Sequence, residues 1–334
     1  MNDAVNQGLT FQSLRHSPDP RVLSVVVPIY KNERSLIPLC EQLEALELPC
    51  GLARHVVFVV DGSPDHSFEL LRSYLESWRV PATLIVLSRN YGSFSAIRAG
   101  LEHGQGDYFA VIAADLQEPP SLLTSFAERL HSGDVDVVLG RREGRADPFA
   151  SRIAAAFFWR IYRRWVQPSM PTGGVDVFAC NAAVRSALVR LQEANSSLVG
   201  QLLWVGFRRE EVAYRRLPRA EGKSAWTLSK KFRYFSDSIF SFTDLPIRFL
   251  LAVGLLGSAV VMVAALAVLL AWSLGGTDVP GYTPIMLTVL MVGFIVVLGL
   301  GIVGSYVWRT YENTKRRPLT ITQFVQDFPG SGRG

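Results

Sequence analysis

Polar residues able to bind or activate a ligand gather in three short segments, each directly after an apolar run. Pro28-Ile29-Tyr30-Lys31-Asn32-Glu33 follows Leu23 to Val27, Asp61-Gly62-Ser63-Pro64-Asp65 follows His55 to Val60, and Asp115-Leu116-Gln117-Glu118-Pro119-Pro120 follows Tyr108 to Ala113. If the apolar runs are parallel strands, all three segments lie at the carboxyl edge of one sheet, where open α/β sheets bind ligands. One Asp-Gly-Ser-Pro-Asp is only a turn signal. Its repetition at successive strand ends points to a site. A fourth segment, Gly140 to Arg164, carries Arg141, Arg142, Arg145, Arg152, Arg160, Arg163 and Arg164 interleaved with Phe157, Phe158, Trp159, Tyr162 and Trp165. Planar guanidinium forks suit phosphate oxygens, and the aromatic positions suit a lipid chain or a bilayer surface.

Several other chemistries are disfavoured. A dinucleotide-binding oxidoreductase needs Gly-x-Gly-x-x-Gly after a strand and opening a helix, whereas Gly104-Gln105-Gly106 precedes a strand. A serine hydrolase elbow needs Gly-x-Ser-x-Gly, and Gly92-Ser93-Phe94-Ser95-Ala96 lacks the last glycine. Cys40, Cys50 and Cys180 form no CxxC pair and the histidines are scattered, so neither a disulfide framework nor a zinc site is indicated. The net charge of +5 favours an anionic partner of unspecified kind.

The elements that must position these residues alternate. Leu23 to Pro28, His55 to Val60, Thr83 to Leu87 and Tyr108 to Ala113 read as strands. Ser35 to Leu46, Phe68 to Trp78 and Ser95 to His103 read as helices. The expectation is an α/β domain over residues 21–225 with a mostly parallel sheet flanked by helices, after a loose extension over 1–20.

The remainder is apolar. No charge occurs from Phe249 through Thr277 or from Val279 through Trp308, and each stretch exceeds the roughly 20 residues a spanning helix needs. Gly275-Gly276-Thr277-Asp278-Val279-Pro280-Gly281 reads as the turn between them. We therefore expect spans at 249–274 and 283–308, a C-terminal two-helix transmembrane hairpin, and a basic tail over 309–334. Arg248 precedes the first span and Arg309, Lys315, Arg316 and Arg317 follow the second, which places both termini and the large domain in the cytoplasm. Residues 226–248, with Leu228, Phe232, Phe235, Ile239 and Phe242 at helical spacing, fit an interfacial amphipathic helix or an ordinary core helix equally well. The nearby spans make lipid phosphate a simpler target than nucleic acid.

Four ordered segments together, Val25 to Glu33, Val60 to Asp65, Ser88-Arg89-Asn90-Tyr91-Gly92 and Ala114 to Pro120, resemble the motifs of family 2 glycosyltransferases with the GT-A, Rossmann-like fold. With the hairpin and Tyr311 to Pro318, residues 22–320 are similar to polyprenyl-phosphate glycosyltransferases, the group of dolichol-phosphate mannose synthase and bactoprenol glucosyltransferases. The resemblance implies inverting transfer of one sugar, with a UDP-hexose preferred, from a nucleotide diphosphate sugar to a polyprenyl phosphate such as undecaprenyl phosphate. The setting it implies is the cytosolic leaflet of a bacterial inner membrane. It implies nucleotide-sugar contacts at Pro28, Tyr30, Glu33, Asp61, Ser63, Asn90, Asp115 and Gln117. Arg219 and Lys223 of an R-x-x-G-x-S segment join them.

Asp115 and Gln117 correspond to ligands of Mg2+ or Mn2+, which would neutralise the leaving diphosphate. The family's first DxD aspartate is Ala113 here, and the first aspartate of its DDGS element is Val60, which implies weakened metal dependence. Thr172 to Phe178 resembles the acceptor-loop element and gives Asp176 the role of catalytic base or orienting group; an Asx turn near Asn181 is its bland alternative. Arg141 and Arg152 are matched to the acceptor phosphate. The resemblance leaves room for a homo-oligomer, and a catalytically impaired scaffold or regulatory member is the alternative function.

Overall fold

A computed structural model describes residues 21–49, 51–143, 160, 163–164, 167–171, 174–193, 195–217, 236–274 and 282–331. The extension at 1–20, Arg152, Arg219, Lys223 and residues 226–235 lie outside the described residues.

The first half alternates strand and helix: β1 (Arg21–Ile29), α1 (Glu33–Glu44), β2 (Leu52–Val60), α2 (Ser67–Leu75), β3 (Ala82–Leu87), α3 (Ser93–His103), β4 (Tyr108–Val111) and α4 (Ser121–Ser132). Then come β5 (Val137–Glu143), β6 (Phe178–Asn181), α5 (Ala182–Arg190), α6 (Leu198–Trp204) and β7 (Arg209–Arg215). The strands form one eight-stranded sheet of order β7-β5-β6-β4-β1-β2-β3-β8, with β8 at Thr322–Phe328. β1 pairs in parallel with β2 and β4, β2 with β3, and β5 with β7; β6 and β8 run antiparallel to their neighbours. The expected mostly parallel, helix-flanked sheet is what folds.

Periodicity explains the layers. In β1, Val25 and Val27 face one side with Leu36, Leu39, Cys40 and Leu43 of α1, and with α2 and α4. Val26 faces the other side with Ala96 and Ala99 of α3, and with α5 and α6. Both faces are buried, so the central strands are continuous apolar runs rather than alternating ones. Gly100 lets α3 lie close on the sheet: a Cβ there would stand 2.3 Å from Val26 Cγ1.

The strand order reverses at β1, which has β2 on one side and β4 on the other. This switch point opens a crevice between the loops after β1 and β4. Ser35 Oγ, in the first turn of α1, donates to the carbonyl of Ala114 at 2.5 Å and ties the two loops together.

Beyond the sheet, α7 (Ser236–Phe242) meets α8 (Leu245–Ser273) at a bend of 81°, and α9 (Tyr282–Thr314) follows. Within α9, Met291–Thr314 is long and apolar enough to cross a membrane, and α7 with the first half of α8 passes as a second, bent candidate. Leu255, Leu256, Met262, Val263, Phe294, Val297 and Leu300 stand exposed along the pair. Arg309 pins α9 to the domain: its guanidinium donates to Asp237 Oδ1 at 2.7 Å and to the Asn195 carbonyl at 2.8 Å. The stretch read as a basic tail is structured. α9 runs to Thr314, and Thr322–Phe328 hydrogen-bonds to β3 as an edge strand of the sheet. Its alternation, with Phe324, Gln326 and Phe328 less exposed than Gln323, Val325 and Asp327, is short enough to pass for a tail beside two long apolar runs.

Candidate active site

The loop after β2 is held by its own carboxylates. Asp61 is 2% exposed and accepts from the Tyr91 amide at 2.7 Å and the Gly92 amide at 2.8 Å, one on each oxygen. Burial pushes its carboxyl up, and the two amide donors and Arg89 pull it back. Asn90 in turn donates to the Asp61 carbonyl at 3.1 Å. Gly62, at φ 55, lies so close to this loop that a Cβ would stand 2.4 Å from the Asn90 nitrogen. Asp61 and Asn90, both matched to nucleotide contacts, therefore also shape each other.

The loop after β1 joins the same scaffold. Ser63 accepts from the Lys31 amide at 2.8 Å and donates to Asp65 at 2.5 Å. Asp65 accepts from the Glu33 amide, and the Glu33 side chain accepts from the His66 amide at 3.2 Å. Pro28 sits within β1, half-buried, and Tyr30 beyond it is 39% exposed, with the Lys31 ammonium 5.4 Å from its ring centroid.

The loop after β4 is different. Leu116 takes φ 58, a left-handed conformation that a bulky residue adopts at a cost of about 1–3 kcal/mol. Gln117 is buried; its amide nitrogen donates to the Leu217 carbonyl at 3.2 Å while the Leu217 amide donates to the Gln117 carbonyl at 2.8 Å. Those two bonds bring the end of β7 against the Asp115 loop. Glu118 is 2% exposed, and neither of its carboxylate oxygens has a hydrogen-bond partner. Burial, then the charge of Asp115, raises its carboxyl to about 7, with Arg216 opposing and Asp176 adding to the rise. Arg216 lies between the acids, Nη2 3.8 Å from Asp115 and Nε 3.6 Å from Glu118.

Asp176 reaches this cluster from the segment before β6. It is partly exposed and ion-paired with Arg142, and it adds to Glu118's raised carboxyl. Burial, then the charges of Asp176 and Glu118, raise the pKa of the Tyr214 phenol above its ordinary value, with Arg142 opposing. Arg141 does not join them. Successive strand residues point to opposite faces, and Arg141 meets Glu211 at 3.2 Å and Glu143 at 3.9 Å while its neighbour Arg142 meets Asp176. The arginine that pairs with Asp176 is Arg142, whereas Arg141, matched by resemblance to the acceptor phosphate, pairs with Glu211 and Glu143.

Asp115, Gln117 and Asp176 are brought together with three residues to which the sequence alone gave no site role: Glu118, Arg142 and Arg216. Glu118 adjoins a residue already picked, and its signal was the acid inside an otherwise apolar-flanked loop. Arg216 needed the Gln117–Leu217 hydrogen bonds to reveal it.

A polar cluster at the switch-point edge, with carboxylates set against arginines, is placed to bind a ligand that carries charge. The family model "Glycosyl transferase family 2" matches residues 24–190. The chain belongs to that family and is a glycosyltransferase. It is 31% identical over 299 residues to an uncharacterized glycosyltransferase of Synechocystis sp., covering 90% of this chain and 94% of the relative. It is 29% identical to a prophage bactoprenol glucosyl transferase homolog of Escherichia coli K12, covering 91% of this chain and 99% of the relative. Among solved structures, glucosyl-3-phosphoglycerate synthase from Mycobacterium tuberculosis, in complex with Mn2+, UDP and its product, aligns over 60% of this chain and 73% of its own. The TM-score is 0.46 and the identity 16%. The candidate site of this family 2 enzyme is the cluster where the loops after β1, β2 and β4 meet the ends of β5 and β7.

Proposed function

We propose that this glycosyltransferase moves one hexose from a UDP-sugar to a polyprenyl phosphate at the cytosolic face of a membrane, inverting the anomeric centre. The observation that carries the reading is Asp176 and Arg142 paired beside Asp115 at the carboxyl edge of a family 2 sheet. The bactoprenol glucosyl transferase name of relatives that match along most of the chain supports the lipid acceptor. The exposed apolar helices α8 and α9 support a membrane setting. At about 1.5 Å per residue, the 29 residues of α8 and the 33 of α9 each exceed a hydrocarbon core. The basic residues at their domain-side ends support a cytoplasmic catalytic domain.

In this mechanism a phosphate oxygen of the lipid attacks the anomeric carbon as that carbon's bond to the diphosphate oxygen breaks, the electron pair leaving with UDP. A phosphomonoester with a second pKa near 6 is already largely ionised at neutral pH. Asp176 therefore has little proton to remove, and it orients Arg142 toward the acceptor phosphate. Tyr30 and the Asp61–Asn90 scaffold receive the nucleoside. Arg152, matched to the acceptor phosphate, and Arg219 and Lys223, matched to a closing loop, are assigned by resemblance alone.

The residues present fit a divalent cation of the magnesium type, which takes one or two carboxylates and completes its shell with water and phosphate oxygens. Asp115 and the Gln117 amide oxygen would hold it, and Glu118's unpartnered oxygens add negative potential behind them. When bound, the cation neutralises charge on the leaving diphosphate. Among the described residues no group of three or more His, Cys, Asp or Glu side chains gathers at one point, so water and phosphate oxygens would fill the rest of the shell.

The test is incubation of the full chain in detergent with polyprenyl phosphate and radiolabelled UDP-, GDP- and dTDP-sugars, with Mg2+, Mn2+ or EDTA, and counting of organic-phase label. Label from a UDP-hexose is expected. No label from any donor with folded protein would overturn the reading in favour of a scaffold.

A further inference from the structure

We propose that Arg216 takes the diphosphate of the donor nucleotide, a permanent positive charge standing where the carboxylate set of this chain is one aspartate short. The inference rests on the glycosyltransferase reading above and assigns a further catalytic residue to it.

Position comes first. Arg216 directly follows β7, and the paired hydrogen bonds between Leu217 and Gln117 fix its backbone against the loop that carries Asp115. The seam holds the backbone next to Arg216, and the guanidinium reaches the Asp115 and Glu118 carboxylates from there. Arg216 is the first residue of the connection that leads toward the Arg219–Lys223 segment.

Donor accounting comes next. At 3.8 Å from Asp115 and 3.6 Å from Glu118, the guanidinium is close enough to balance two negative charges and too far to complete a hydrogen bond to either. Its Nε is buried and has no hydrogen-bond partner, and the nearest acceptor, Glu118 Oε1, stands 3.6 Å away. A guanidinium has five N–H donors in a planar fork. Leaving buried donors unsatisfied costs about 1–3 kcal/mol per group. Two phosphate oxygens entering beside Asp115 would satisfy the fork bidentately, the geometry in which arginine outperforms lysine.

Charge decides which phosphate. Arg142 is committed to Asp176 on the acceptor side, whereas Arg216 lies on the Asp115 side. The leaving diphosphate gains negative charge as its bond to the sugar breaks, so a fixed cation there stabilises the transition state more than the ground state. With Ala113 in place of an aspartate, less of that charge can come from a metal, and Arg216 supplies the difference.

The experiment is isothermal titration of the full chain in detergent with UDP and with UMP, in Mg2+ and in EDTA, for wild type, Arg216→Met and Arg216→Lys. Wild type is expected to prefer UDP over UMP even in EDTA. Arg216→Met should weaken UDP by about tenfold or more and leave UMP within about twofold, with Arg216→Lys recovering only part. The KM for lipid phosphate in Arg216→Lys should stay near wild type.

The double variant Glu118→Gln with Arg216→Gln removes both members of the pair and carries the same UDP prediction if Arg216→Met alone fails to fold. Equal UDP binding in wild type and Arg216→Met, or equal weakening of UDP and UMP, overturns the proposal. So does a rise in lipid-phosphate KM without a change in UDP affinity. In each of those cases sugar transfer by wild type leaves the glycosyltransferase reading standing. Absence of both transfer and UDP binding in wild type would overturn the two together.

Discussion

The loops after β2 and β4 are built from the same residue types and have opposite states of satisfaction. In the first, Asp61 spends each carboxylate oxygen on a backbone amide, Ser63 and Asp65 bond to each other, and Gly62 fits a gap no side chain could enter. In the second, Glu118 is buried with two bare oxygens, Arg216 stands just beyond hydrogen-bond reach, and Leu116 holds a left-handed backbone. A carboxylate is therefore no guide to role by itself. Where its lone pairs are filled by the chain it shapes the fold, and where they are left open beside a cation it awaits a ligand.

The sharpest way to break this contrast is to remove acids from each loop and compare what is lost. Asp115→Asn and Asp176→Asn should each lower turnover by about 100-fold or more with little change in thermal midpoint, measured by organic-phase label and by calorimetry. Turnover within a fewfold of wild type would remove both residues from the chemistry. Asp61→Ala should instead lower stability as well as nucleotide binding. It strands two buried amides, at about 1.5–3 kcal/mol for each charged hydrogen bond lost, visible as a lower midpoint in denaturant.

Gly62→Ala is next in size. Its φ of 55 and the 2.4 Å approach to Asn90 predict a loss of about 1–3 kcal/mol, together with weaker nucleotide binding because the Asn90 loop must shift. A variant as stable as wild type would show that the two loops do not brace each other.

The smallest effect lies at the far end of the strands and serves as a control. His55 Nδ1 is 3.3 Å from Ser24 Oγ, its Nε2 is 3.1 Å from Thr83 Oγ1, and Thr83 donates to Asp327 of β8 at 2.6 Å. Burial lowers the His55 pKa below its ordinary value of 6.5, with Asp327 opposing. The folded state thus refuses a proton that the unfolded chain accepts. The stability His55 contributes is present above pH 6.5 and declines as pH falls through the lowered value. His55→Gln should flatten that acid limb of the stability profile without altering donor or acceptor KM.

The strands of the first half were legible because both faces are buried and the runs are unbroken, so Leu23 to Pro28 became Arg21–Ile29; the helix read at Phe68 to Trp78 became Ser67–Leu75. The edge on which Asp61 and Asp115 converge followed from the same runs. What stayed hidden depends on pairing between distant segments. Choosing between Arg141 and Arg142 requires the β5 face that meets Asp176. Finding Arg216 requires the Gln117–Leu217 seam, across 100 residues of sequence. Such contacts leave no periodic trace, because each partner is ordinary in its own neighbourhood.

The seam between β3 and β8 sets an order of assembly during synthesis. The ribosome delivers β3 early and β8 only after both long apolar helices have been made. Until then β3 offers an unpaired edge, the feature that invites strands from other chains. A fragment cut before α8 to obtain a water-soluble catalytic domain keeps that edge open permanently. Grafting Thr322–Phe328 back through a short linker should close it, and would make the truncated domain monodisperse where the simple cut aggregates.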